Sequence, residues 1–212
     1  GYQGEYLVEI ARALVEEVGE GFRAADESRF RERAVGAIFA EIERTLASLG
    51  VRFDSYFNEH TLFERGLVET TIADLRARGL VFDQEGAVWL RTTDFTDDRD
   101  RVLIRANGEP TYFAADAAYY LSKKDRGFDE KLYLLGADHH GYINRLKAIA
   151  ACAGDDPEHN IEVRIGQLVD LGGARMSKRA GNIIELRDLI GWIGTDAIRY
   201  SLGRYPADSP LS

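Results

Sequence analysis

Two short apolar runs, Leu132-Tyr133-Leu134-Leu135 and Ile161-Glu162-Val163-Arg164-Ile165, stand on either side of a stretch with helical spacing near residues 142–153. Runs of this length read as strands, and strands separated by a helix pair in parallel, because the crossover takes a dozen or more residues. Val102-Leu103-Ile104 is also strand-like, and helices are predicted over 114–124, 185–192 and 195–204. The alternation predicts an α/β domain built on a parallel, doubly wound sheet covered on both faces.

The first ninety-five residues follow a different rhythm. Leu7, Ile10, Ala11, Leu14, Val15 and Val18 recur at helical spacing, so residues 5–18 form an amphipathic helix. A second helix begins at Ser28 as N-cap, carries Phe30, Ala34, Ile38, Ile42 and Leu46 on its apolar face, and stops at Gly50. Val51, Phe53 and Tyr56 suggest a short extended stretch, and a third helix covers roughly 61–78. Leu80–Phe82 and Ala87–Leu90 flank the turn residues Asp83-Gln84-Glu85-Gly86 as a hairpin. Residues 94–101 are so charged that they read as a surface connection.

Composition narrows the function classes. The formal net charge is -9, which gives no overall field to draw the chain onto nucleic acid. Any such contact must be local. No apolar run approaches the roughly 20 residues a membrane helix needs. The single cysteine, Cys152, excludes an internal disulfide and a cysteine zinc cluster, which fits a reducing, cytoplasmic location. The chain opens at Gly1 and its one methionine is Met176, so it reads as a piece of a longer protein.

Ligands of open parallel sheets bind beyond the carboxyl ends of the strands. After Leu135 comes Gly136-Ala137-Asp138-His139-His140-Gly141, where a glycine permits close approach and a carboxylate can take hydrogen bonds from ribose hydroxyls. The same residues also suit a plain polar turn. With four histidines in all and no glutamate or cysteine to complete a ligand set there, no protein-bound metal is expected. After the second run, Arg175, Lys178 and Arg179 place three cations in five positions between glycines, beside Ser177 and Asn182. That composition suits a loop that clamps phosphates, or a solvated basic loop. Tyr112 and Asp116 are four apart, on one face of a helix start. A carboxylate beside a phenol there would suit a guanidinium or ammonium ligand, while the helix dipole alone also favours an acid.

Arg175-Met176-Ser177-Lys178-Arg179 resembles the Lys-Met-Ser-Lys-Ser loop of class I aminoacyl-tRNA synthetases. The extension Ala180-Gly181-Asn182, the run Gly136–Gly141, the run Thr111-Tyr-Phe-Ala-Ala-Asp116, the opening Gly1–Leu7 and the Asp97–Val102 connection together resemble the arginyl-tRNA synthetases. The resemblance implies the C-terminal half of a Rossmann-like nucleotide-binding fold over 96–212, preceded by a helical and hairpin connecting module over 1–95. It implies ATP, with Mg2+ accompanying the nucleotide, arginine and tRNA as partners of a monomer. Lys178, Ser177 and Arg175 would be catalytic. Gly136, Asp138, His139, His140, Met176 and Lys178 would contact ATP, and Tyr112, Asp116 and His139 would read arginine. A synthetase for another amino acid, or a non-catalytic paralogue, would share much of this pattern. The family's His-x-Gly-His signature and its anticodon-binding domain have no counterpart in the sequence, so the isolated 212-residue chain is expected to be inactive.

Overall fold

The structure is a computed structural model that describes residues 5–19, 27–167, 169 and 184–209. The elements in chain order are α1 (Glu5–Val18), α2 (Glu27–Ser48), α3 (His60–Glu64), α4 (Leu67–Ala77), β1 (Val81–Gln84), β2 (Ala87–Leu90) and β3 (Arg101–Ile104). There follow α5 (Tyr112–Asp125), β4 (Lys131–Gly136), α6 (Ile143–Cys152), β5 (Ile161–Gly166), α7 (Leu186–Ile193) and α8 (Thr195–Gly203). Tight single-turn helices span Thr92–Asp94 and Ala137–Tyr142. The chain divides into two compact units.

One unit holds α1, α2, α7 and α8. Its ends are organised by polar contacts. Glu185 and Asp188 form a reciprocal capping box that satisfies backbone N–H groups where α7 begins. Arg187 pairs with Glu185 at 2.6 Å and lies 3.8 Å from Glu9 on α1 and 3.9 Å from Glu41 on α2. Arg199 on α8 donates to the Leu49 carbonyl just past α2. Α2 starts at Glu27, so Ser28 lies within its first turn rather than capping it.

The other unit spans Ser55–Leu168 with Ala207–Ser209 and contains both sheets. The expected third helix is two, because Gly66 adopts the left-handed conformation (φ 61°) and separates α3 from α4. The hairpin forms with a shorter turn than the sequence suggests. Asp83 and Gln84 belong to β1, leaving Glu85 and Gly86 with φ of 51° and 75° as the two turn residues. Two consecutive positive φ values match the twist of the flanking strands. An alanine at Gly86 would meet only the Ala106 Cβ, at 3.7 Å. Its cost is therefore conformational, and Gly86→Ala should lower unfolding free energy by about 1 kcal/mol in urea titrations.

β3 does not join the parallel sheet. It pairs antiparallel with β2, giving the order β1-β2-β3, while β4 and β5 pair in parallel from Lys131↔Ile161 to Gly136↔Gly166. The boundary expected at residue 95 therefore falls between two paired strands inside one unit. The charged stretch before β3 is more than a surface connection. The Asp97 side chain is only 2% exposed, and its oxygens accept from Arg101 Nε at 2.7 Å and a terminal nitrogen at 2.6 Å. A bidentate partner is what permits a carboxylate to be buried.

α5 lies at the centre of this unit, against α4, β3 and α6. Ala114, Ala115, Ala117 and Ala118 are all buried. Their small size lets three neighbours approach the helix closely, and Thr111 caps it by accepting from the Ala114 N–H at 3.2 Å. The parallel pair is covered on one face only among the described residues. Tyr133 and Leu135 pack against the core, whereas Leu132 and Leu134 are 55% and 73% exposed.

Candidate functional site

β4 ends at Gly136, paired with Gly166 at the carboxyl edge of the parallel pair. A Cβ at Gly136 would sit 3.0 Å from Asp138 Oδ1, so a larger residue there would have to displace that exposed carboxylate, while the backbone itself is extended. The turn Ala137–Tyr142 then leads directly into α6. It presents Asp138 and His139 to solvent, with His139 Nε2 3.7 Å from Asp138 Oδ1. His140 is exposed as well.

The last residue of that turn reaches back to α5. The Tyr142 hydroxyl donates to Asp116 Oδ2 at 2.7 Å, and the His139 ring stands edge-on to the Tyr142 ring with centroids 6.2 Å apart. Asp116 and His139 are thus linked through one phenol. Tyr112 contributes less than its spacing suggests: it is the first residue of α5 and 79% exposed. The tyrosine that holds Asp116 lies 26 residues downstream of it.

The electrostatics centre on Asp116. Burial pushes its carboxyl above the ordinary carboxylate range, opposed by the hydrogen bond from Tyr142 and by the charges of Lys123 and His139; Glu59 adds to the upward push. Burial, then the bond to Asp116, pushes the Tyr142 phenol up to about 12, so it stays a donor at neutral pH. Lys123, two turns along α5, has its ammonium 4.1 Å from the Tyr119 ring centre and 3.8 Å from that of Tyr133. Burial brings it down to about 8. The Tyr133 hydroxyl itself is buried without a hydrogen-bond partner. One oxygen of Asp116 is engaged by Tyr142, and a carboxylate so fixed offers its remaining acceptor sites to a forked donor such as a guanidinium.

Sequence reasoning missed Tyr142 and Lys123, and named Thr111 only as the start of a run, without its role as helix cap. Tyr142 had a signal, since it directly follows Gly141 at the close of the glycine-bounded run. Arg175, Met176, Ser177, Lys178 and Arg179 lie outside the described residues. Among the described residues, no group of three or more His, Cys, Asp or Glu could hold a metal ion, and no helix is long and apolar enough to cross a membrane.

Residues 3–199 match the family described as tRNA synthetases class I (R), catalytic domain. The chain is 65% identical over its whole length to an arginine–tRNA ligase of Paenarthrobacter aurescens and 64% identical to that of Renibacterium salmoninarum. It spans 39% of the length of each of these relatives. A crystal structure from Campylobacter jejuni assigned as an arginyl-tRNA synthetase superposes with a TM-score of 0.88 at 33% identity, over 99% of this chain and 46% of that one. The Thermus thermophilus arginyl-tRNA synthetase shares the fold, with a TM-score of 0.69 at 18% identity, over 96% of this chain and 44% of that one.

Proposed function

Because the chain belongs to the class I tRNA synthetase (R) family, through its catalytic domain, we propose that it supplies the arginine site and part of the ATP site of an arginine–tRNA ligase. The reaction has two steps. The carboxylate of arginine attacks the α-phosphorus of ATP, forming arginyl-adenylate as pyrophosphate leaves. The arginyl group then passes to the terminal ribose of tRNA. The first step needs little covalent help from protein, only reactants held in line and phosphate charge neutralised.

Asp116 receives the guanidinium, and Tyr142 holds the carboxylate in place. Gly136, Asp138, His139 and His140 line the adenosine and aminoacyl side, with His139 also facing arginine and Tyr112 at the mouth. Lys178, supported by Arg175, Met176 and Ser177, stabilises the charge of the phosphates, with Mg2+ travelling on the nucleotide. The enzyme acts as a cytoplasmic monomer. The observation that carries this reading is the half-buried Asp116 carboxylate held by Tyr142 beyond the carboxyl end of β4. The test is ATP–pyrophosphate exchange by the gene product that contains this sequence, with tRNA present, comparing arginine with lysine and ornithine. Arginine alone should support exchange; equal rates with lysine would end the assignment.

Tyr142→Phe probes the arrangement more finely. Losing a hydrogen bond to a charged group should raise the KM for arginine about tenfold with kcat nearly unchanged. Because that bond favours the ionised form of Asp116, its loss should also move the acid limb of kcat/KM to higher pH. A pH profile superimposable on that of the unmodified protein would count against Tyr142 as a positioning residue.

A further inference from the structure

A cavity of about 540 Å³ opens between α4 and α5 in the unit that carries Asp116. Besides Lys124, α5 lines it with Ala118, Leu121, Ser122 and Asp125. Those positions follow the i, i+3, i+4, i+7 stripe of a single helix face. Asp116, Tyr119 and Lys123 form another stripe of the same helix, so the cavity is separate from the arginine site. Its charged lining comprises Arg65, Arg78, Lys124 and Arg126 against Asp74 and Asp125, an excess of two positive charges in a chain whose net charge is -9. Thr71 and Ser122 add hydroxyls, while that of Thr70 is already donated to the Gly66 carbonyl at 2.8 Å.

The four cations differ in how far they are already engaged. Lys124 is committed to Asp155 at 2.6 Å, and Arg78 to Asp74 at 2.9 Å and the Ala153 carbonyl at 3.1 Å. The Arg65 side chain is exposed and has no hydrogen bond or ion pair with any described residue. The Arg126 guanidinium lies 5.5 Å from the Phe57 ring centre and 5.2 Å from that of Phe128, with only Nε engaged, on the Ser122 carbonyl at 3.3 Å. Its terminal nitrogens are therefore available, and the aromatic faces fix the plane of the fork. Two guanidinium groups with free donors, backed by hydroxyls, match the tetrahedral oxygens of a phosphate.

We infer that this cavity binds a phosphate group, carried either by a small organic phosphate or by a polynucleotide backbone. The experiment is calorimetric titration of the chain at low ionic strength with inorganic phosphate and, separately, with a short single-stranded oligoribonucleotide. Arg65→Glu is compared with Arg105→Glu, which makes the same change in net charge at an exposed site outside the cavity. Saturable binding in the millimolar range that Arg65→Glu weakens at least about tenfold, and Arg105→Glu changes less than about twofold, supports the inference. Binding of inorganic phosphate identifies a small ligand as a sufficient source, and binding of the oligoribonucleotide alone assigns a backbone phosphate. The arginine reading rests on Asp116 and Tyr142, neither of which lines this cavity, so failure here leaves that reading untouched. Absence of saturable binding to both probes, or equal weakening by both substitutions, would overturn the inference. Arg65→Gln, which removes the charge without reversing it, should fall between the unmodified chain and Arg65→Glu.

Discussion

Asp116→Asn is expected to reduce arginine-dependent ATP–pyrophosphate exchange by the gene product about 10²–10³-fold, chiefly through the KM for arginine. The substitution keeps the shape of the side chain but removes the charge and can turn an amide donor toward the five donors of a guanidinium. Truncating one partner of a desolvated charge pair costs roughly 2–5 kcal/mol, which sets that range. The same change should not weaken the fold. Burial raises the carboxyl of Asp116 above its ordinary range, so ionising it in the native state opposes folding. That penalty is absent below the unfolded value and present once pH rises through the folded one. At neutral pH the asparagine variant should therefore unfold at the same or slightly higher denaturant concentration than the unmodified protein. Lost activity combined with retained stability separates recognition from misfolding. A variant with activity within about threefold of the original would remove Asp116 from the arginine site.

Asp155→Asn is expected to cost about 3 kcal/mol of unfolding free energy, a large share of what a domain this size possesses. The Asp155 carboxylate accepts from the Tyr120 hydroxyl at 2.7 Å, Lys124 Nζ at 2.6 Å and Lys131 Nζ at 2.7 Å. Lys131 opens β4 with its side chain 3% exposed, so without this partner a buried ammonium is left uncompensated. Burial works against the Asp155 charge, yet the lysine and tyrosine donors outweigh it and hold the carboxyl down to about 2. A depressed carboxyl stabilises the native state above the unfolded value near 3.8 and loses that contribution as pH falls toward 2. The drop is worth on the order of 2 kcal/mol. Urea midpoints measured between pH 5 and 2.5 should fall steeply in the unmodified chain and more gently in Asp155→Asn. Parallel profiles would mean that the acid sensitivity resides elsewhere.

The β4–α6–β5 crossover was legible in the sequence because its strands are short apolar runs and its helix is periodic. The family motifs were legible for the same local reason. What escaped depended on contacts distant in sequence. Nothing in Val102-Leu103-Ile104 reveals that its neighbour is a hairpin strand rather than a parallel one, since the run fits either. The burial of Asp97 became intelligible only with Arg101 folded against it, because a charged stretch reads as exposed until each charge has a partner. Gly66 interrupts a helical periodicity that its neighbours maintain, so spacing alone could not locate the break. The tie from Tyr142 to Asp116 joins the residue just past one recognised run to the last residue of another, and the packing of α5 against α6 accompanies it.

The alanine-rich packing of α5 has a consequence for anyone wishing to redesign amino-acid choice. With neighbours pressed against Ala114, Ala115, Ala117 and Ala118, the rod bearing Asp116 has no slack: enlarging its side chains would push apart the surrounding helices and strand before reshaping the pocket. His139, on the turn after β4, is exposed instead, so a library aimed at new amino acids should diversify His139 and leave the alanine positions alone.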